Sequence, residues 1–314
     1  MHRPADNLEV ECARDAELLA GARVRRVFSE GDEIPDGASP AGVFLFLGGG
    51  AGLLAETPFG PHPVARLCAP SLADLRAALG GSPGVARLRP DAGATAVFLP
   101  ADEALDLVFD AGAAGGAFRR LALASLTAAI RDTNESLGRF FEGVGGRTAP
   151  PDPARVRTID SDVDLARARD LFETAGLDPA ILPALGLTAR TVLPGAALMR
   201  AGDAGREAFL LVEGRLRVSL DIAGAGEEAL AVLRPGEIVG EMPLVDEAPR
   251  SADVYAHGGP AVVYVLTREV FQRLLGSGAP EGAPLLGGLT LLLARRLEQA
   301  IRKAAGFRIL AGPI

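Results

Sequence analysis

The residues best placed to do chemistry lie in one stretch, RPGEIVGEMPLVDEAPRSADVYA (234–256). It opens on a Pro-Gly turn and reaches Val239-Gly240-Glu241. An apolar step follows, Met242-Pro243-Leu244-Val245, then an acidic turn, then Pro249-Arg250-Ser251-Ala252 leading into a strand-like run. This order suits a phosphate that carries a sugar. Gly240 lacks a Cβ, so a ligand can approach the backbone closely. Residues 242–245 suffice for a single helical turn, with Pro243 tolerated near its start. The free N–H groups of such a turn favour an anion. Arg250 supplies a planar guanidinium fork that matches phosphate oxygens. Glu241 can accept a hydrogen bond from a ribose hydroxyl.

The rest of the chain offers little reactive chemistry. Its histidines are His2, His62 and His257, and no two sit at metal-ligand spacing, which argues against a zinc or cupin-like enzyme. Cys12 and Cys68 make neither a disulfide framework nor an iron–sulfur set. Cys68, in an apolar run, reads as a core residue. No nucleophile–base pair and no kinase signature occur, so the expectation is no catalytic residue, no metal and no cofactor. The net charge of −8 argues against a nucleic-acid partner recognised by charge. The N-terminus has no apolar leader core. The apolar stretches near 121–130 and 285–294 fall short of the ~20 residues of a membrane span. A cytoplasmic protein is expected.

The 314 residues suit two domains, and the two halves resemble each other. VFLFLGGGAGLLAE (43–56) lies against AFLLVEGRLRVSLD (208–221), which sets Phe44 on Phe209 and Gly49 on Gly214. Upstream, Gly31-Asp32 lies against Gly202-Asp203, with extra residues following in the first copy. Residues 82–105 lie against 248–271 without a gap, and ASLTAAIRD (124–132) against GGLTLLLAR (287–295). Four blocks in the same order indicate a tandem duplication. In this register the run Gly48–Gly52, which lacks the Gly-Lys-Ser/Thr ending of a phosphate loop, is a hairpin turn. Arg25–Ser29 is a strand edge.

Each copy then has the same layout. An apolar helix comes first (163–176 in the second copy, with Ser161 and Asp164 as its start signal). Short alternating runs follow, among them 209–212, 216–220, 229–233, 253–256 and 261–265, separated by Gly and Pro turns. Helical patterns close each copy, at 104–109 with 117–137 and at 268–275 with 285–304. The expected fold is mainly β with flanking helices, as two tandem β-rolls of the jelly-roll kind. The expected domains are 1–142, a Gly/Pro-rich linker 143–160, and 161–314.

The second half resembles the cyclic-nucleotide-binding domains, a family that includes the bacterial catabolite activator and the regulatory subunit of protein kinase A. The likeness spans about residues 165–305. It rests on Gly240-Glu241, the apolar step and Arg250-Ser251-Ala252, with the turn glycines Gly202, Gly214 and Gly236. It implies a cyclic nucleotide, cAMP or cGMP, with its phosphate on Arg250 and its ribose 2′-OH on Glu241. Ser251 and the Ala252 N–H assist, and Val239 and Met242 flank the site. Val239 stands where the family often has Phe. Where the catabolite activator reads adenine with a polar pair on its closing helix, this chain has Ala300 and Ile301. The first copy has lost the motif: Gly84 meets Arg250, and Arg76 or Leu75 meets Glu241.

The resemblance implies a sensor that binds a cyclic nucleotide in its second domain and signals to a protein partner through its C-terminal helix. That helix is expected to act as a lid on its own roll, with a homodimer helix as the other option. The nine residues 306–314 carry no helix-turn-helix pattern, so no DNA-binding module is expected in the chain. The alternative is a ligand-free scaffold that uses two such folds to dock proteins.

Overall fold

The computed structural model describes residues 4–35, 40–79, 85–141, 158–159, 182–222, 226–276 and 280–311. Its helices are α1 (Pro4–Ala20), α2 (Leu75–Ala78), α3 (Ala101–Phe109), α4 (Ala113–Phe141), α5 (Met242–Asp246), α6 (Arg268–Leu275) and α7 (Ala283–Ala311). The chain forms two compact units: residues 1–137 together with 275–314, and residues 138–274.

In the first unit the strands are β1 (Arg26–Val27), β2 (Ile34–Pro35), β3 (Gly42–Gly48), β4 (Gly50–Ala55), β5 (His62–Cys68), β6 (Ser71–Ala73), β7 (Ala86–Pro90) and β8 (Thr95–Pro100). They form two antiparallel sheets, β1-β8-β3-β6 and β2-β7-β4-β5. In the second unit they are β9 (Thr158–Ile159), β10 (Thr188–Val192), β11 (Ala197–Met199), β12 (Glu207–Glu213), β13 (Leu216–Ile222), β14 (Gly226–Leu233), β15 (Ile238–Val239), β16 (Asp253–Ala256) and β17 (Ala261–Thr267). Their sheets run β9-β10-β17-β12-β15 and β11-β16-β13-β14. Apart from β9, each strand of one unit has its counterpart in the same place in the other. The fold is mainly β with flanking helices, as two tandem β-rolls.

Alternation drives each roll. In β5 the inward residues are Val64 and Leu67, while Cys68 points out, which corrects the expected core position of that thiol. Phe28 stacks on Phe46 at 5.8 Å between ring centres and meets Phe44 edge-on at 6.2 Å at the heart of the first roll. The second core gathers Val192, Phe209, Leu211, Leu216, Val254, Val263 and Val265. Gly214 turns β12 into β13 at φ +81°. A side chain there would collide with the Pro260 carbonyl, so glycine alone fits.

Strand register tests the sequence alignment directly. Phe44 pairs with Ala73 and Phe209 with Val239, so the copies stay in step through the first half. Both carry a bulge at the same point, between Leu53 and Leu54 and between Val218 and Ser219. Two matches change. Phe44 faces Phe98 while Phe209 faces Val265, so the ungapped alignment of 82–105 slips by one residue in the last strand. The Gly31 turn, closed by Asp32 N–H to Ser29 O, corresponds to the Gly195 turn, closed by Ala196 N–H to Leu193 O, and not to Gly202.

The expected linker, 143–160, lies outside the described residues except for Thr158 and Ile159, which pair with Val192 and Thr191 as an edge strand of the second roll. The helix expected at 163–176 also lies outside them. The last helix corrects the expected 161–314 domain. α7 belongs to the first unit, where it packs on α2, α3, β4 and β5. A Cβ on Gly287 would come 2.8 Å from the Phe109 ring of α3, which shows how closely the two helices approach. The reading of α7 as a lid on its own roll is overturned. Its buried stripe (Leu286, Leu289, Leu293, Leu297, Ile301) has the helical period, but period carries no information about which roll receives it.

Candidate functional site

In the second unit, β15 brings the chain to Gly240, which takes φ +77°. Glu241 caps α5, whose first turn accommodates Pro243, and Glu247 ends it in the left-handed region with its N–H on Pro243 O at 3.1 Å. The expected single helical turn is therefore formed. Three residues, Glu247, Ala248 and Pro249, lead from α5 to Arg250-Ser251-Ala252 and β16.

Arg250 is held at its backbone first. Its N–H donates to Asp203 O at 2.9 Å, and its carbonyl accepts from Gly202 N–H at 2.9 Å. The turn at 202–203 thus anchors the residue. The residue is 7 % exposed, and its guanidinium donates from Nη1 to Gly240 O at 2.5 Å and lies over the Phe209 ring, 5.6 Å from its centre. Burial pulls its pKa below the usual guanidinium value, while Glu207, Glu241 and Asp203 oppose the shift from a distance. Among the described residues Arg250 makes no ion pair. Two glycines make room for it. A Cβ on Gly240 would collide with Nη1, and one on Gly205 would come 2.8 Å from Nε.

The other expected residues gather around it. Glu241 is 1 % exposed. Met242 and Ala252 are buried, and Ser251 Oγ–H points to Met242 Sδ at 3.7 Å. Val239 is in the same segment, but its side chain faces the core opposite Phe209. Met199, Val254, Val218 and Ala231 pair in one row across β11, β16, β13 and β14. Of these, Met199, Val218 and Ala231 are only partly buried, at the margin of the core. A Cβ on Gly240 would stand 3.1 Å from Met199 Sδ, so this apolar row starts beside the guanidinium.

Sequence reasoning missed three participants. Phe209 was found as a repeat of Phe44, without its role under Arg250. Gly205 left no signal beyond being a glycine. Arg268, the first residue of α6, donates to Glu247 Oε1 at 2.5 Å, to Pro243 O at 2.7 Å and to Gly205 O at 3.4 Å. It thereby ties α5 to α6. Arg268→Ala is expected to loosen α5 and lower the melting temperature by about 5 °C, the scale of one or two charge-assisted hydrogen bonds, with Arg268→Lys recovering part of the loss. Thermal melts of the three proteins check this, and equal melting temperatures would mean that Arg268 does not tie α5 to α6.

The first copy diverges at the same point. Asp74, at φ +64°, takes the conformation of Gly240. The registers Phe44–Ala73 and Phe209–Val239 then put Leu75, not Arg76, in the place of Glu241. Gly84, the counterpart of Arg250, lies outside the described residues.

The profile of the cyclic nucleotide-binding domain family matches residues 189–277. The chain is 36 % identical over 119 residues to the cyclic AMP receptor protein of Thermus thermophilus, covering 37 % of this chain and 52 % of that protein. It is 34 % identical over 116 residues to the cAMP-dependent protein kinase type II regulatory subunit of Drosophila melanogaster, covering 37 % of this chain and 29 % of that one. The matched region therefore spans about half or less of these relatives. Among solved structures, the regulatory domain of Toxoplasma gondii PKA with cAMP aligns over 90 % of this chain and 96 % of its own, at 16 % identity and a TM-score of 0.28. Among the described residues no helix is long and apolar enough to cross a membrane.

Proposed function

We propose, from the premise that residues 189–277 form a cyclic nucleotide-binding domain, that the second roll binds a cyclic nucleotide and that the chain is a regulatory protein, not an enzyme. The observation that carries the reading is Arg250, a buried guanidinium held in place by its backbone and by Phe209, with no ion pair among the described residues. A purely structural arginine at this depth would be neutralised by a carboxylate, because an isolated buried charge is costly. A cyclic phosphate supplies that charge. Glu241 then takes the ribose 2′-OH, and Ser251 Oγ and the Ala252 N–H complete the cradle. The half-buried row of Met199, Val218 and Ala231 offers an apolar wall to the base.

The ligand is cAMP or cGMP. Signalling to a protein partner runs through the last helix, and the setting is cytoplasmic. α6 ends at Leu275 and α7 begins at Ala283, so any change at α5 that reaches α6 has a short stretch of chain to cross. The size of the response is bounded by the ligand's preference between the two states of the protein.

Calorimetric titration with cAMP, cGMP and cyclic dinucleotides tests the reading. The expected result is one monocyclic nucleotide per chain, with a raised melting temperature in its presence. No heat from any of them, with an unchanged melting temperature, would favour the alternative, a ligand-free scaffold.

A further inference from the structure

The first roll has lost the nucleotide motif, yet its mouth is closed by something specific. A cavity of about 30 Å³ remains there, between the strands and the helices α2, α4 and α7. That is room for about one water, far below the ~300 Å³ or more of a small-ligand pocket. The roll contributes Leu53, Leu67 and Leu72, α4 contributes Ser125 and Leu126, and α7 contributes Leu297 and Ile301. Leu297 and Ile301 are one helical turn apart, so one face of α7 closes the space. Between them stands Glu298, which accepts from Arg302 Nη2 on its own helix at 2.9 Å and turns its other oxygen, 3.9 Å away, to Arg76 Nη1, with the Glu298 and Arg76 side chains 15 % and 5 % exposed. Arg76 follows Leu75 on α2, the short helix that corresponds to α5 of the second roll. Further along α7, Arg308 lies near enough to His62 on β5 to add to the burial that lowers the imidazole pKa.

We infer that the mouth of the first roll is a docking site whose occupant is the chain's own last helix. Leu297 and Ile301 fill the apolar space, and Glu298 is the anion that meets Arg76. The first copy is then not a vestige. It keeps the roll, has Leu75 where the second copy has Glu241, places Arg76 beside it, and so accepts a carboxylate carried on an amphipathic helix. This assignment does not depend on nucleotide binding in the second roll, and its test uses none.

The test is hydrogen–deuterium exchange by mass spectrometry on the full chain. Glu298→Lys adds a third cation beside Arg76 and Arg302 at the mouth. The expected result is at least a tenfold loss of protection in α7 and in β4, with β12 and β17 of the second unit unchanged. The exchanged pair Arg76→Glu with Glu298→Lys should restore most of that protection, which mere disturbance of packing would not do. If Glu298→Lys does not fold, Glu298→Gln replaces it, with about a threefold loss in the same peptides. Unchanged protection in the Glu298 variants, or no recovery in the exchanged pair, would overturn the docking site and leave α7 as ordinary apolar cover.

Discussion

Arg250→Ala is expected to weaken cyclic-nucleotide binding by about 2–4 kcal/mol, the range for truncating one partner of a buried charged pair. That corresponds to roughly 30- to 700-fold in Kd. The ligand-free protein should respond in the opposite sense or hardly at all. Arg250 has no ion pair among the described residues to lose, and burial already disfavours its charge. Removing it gives up the contact with Phe209, worth about 0.5–2 kcal/mol, and the bond to Gly240 O. It also relieves the cost of a desolvated cation. The melting temperature without nucleotide should therefore shift by no more than a few degrees. Arg250→Lys should recover only part of the affinity, because an ammonium lacks the two-pronged geometry that a phosphate accepts. Calorimetry and thermal melts on the same preparations separate the two effects. An unchanged Kd would dissociate Arg250 from the ligand. A collapse of the ligand-free protein would make it a structural residue instead.

The reason this site could be read before any coordinates lies in its local character. Gly240, Glu241, Pro243 and Arg250-Ser251-Ala252 sit within thirteen residues. Turn chemistry, a single helical turn and a guanidinium each leave a mark in residue type. The strand 253–256 and the helix 268–275 were legible for the same reason, with Gly/Pro punctuation at one and helical period at the other. What stayed hidden was contact over distance. Arg268 acts on Glu247, twenty-one residues away, and on the carbonyl oxygens of Pro243 and Gly205, and every residue has a carbonyl. The host of α7 was invisible because a buried stripe states only that something covers it. The one-residue slip in β17 is of another kind. Val97-Phe98-Leu99 and Val263-Tyr264-Val265 match by letter, whereas the pairing partners Phe44 and Phe209 reveal that the copies differ by a residue in the turn before. The Gly31 turn shows the same limit, since a Gly-Asp dipeptide matched two turns that the backbone keeps apart.

Asp15→Asn should be among the most destabilising single changes in the first unit. Asp15, on α1, receives both arms of Arg120 on α4, Nε to Oδ2 and Nη2 to Oδ1, each at 2.7 Å. The side chains are 8 % and 13 % exposed, so water screens the pair little. The hydrogen bond to Asp15 is the largest cause that raises the Arg120 pKa above its usual value, and burial opposes it. Asparagine keeps the shape, removes the charge and turns an N–H₂ group towards a guanidinium that has only donors. Breaking a buried pair in this way costs about 3–5 kcal/mol. In a unit of this size that is a fall on the order of 10 °C in melting temperature. The argument has a second, sharper consequence. Most of the loss is the cost of stranding Arg120, not the worth of the bond. Asp15→Leu combined with Arg120→Met should therefore lose less than Asp15→Asn alone, although it removes more polar contact. Thermal and urea melts of the two proteins decide it, since a double variant that is the less stable of the pair would mean that the ion pair itself, and not the avoidance of a buried unpaired charge, holds α1 to α4.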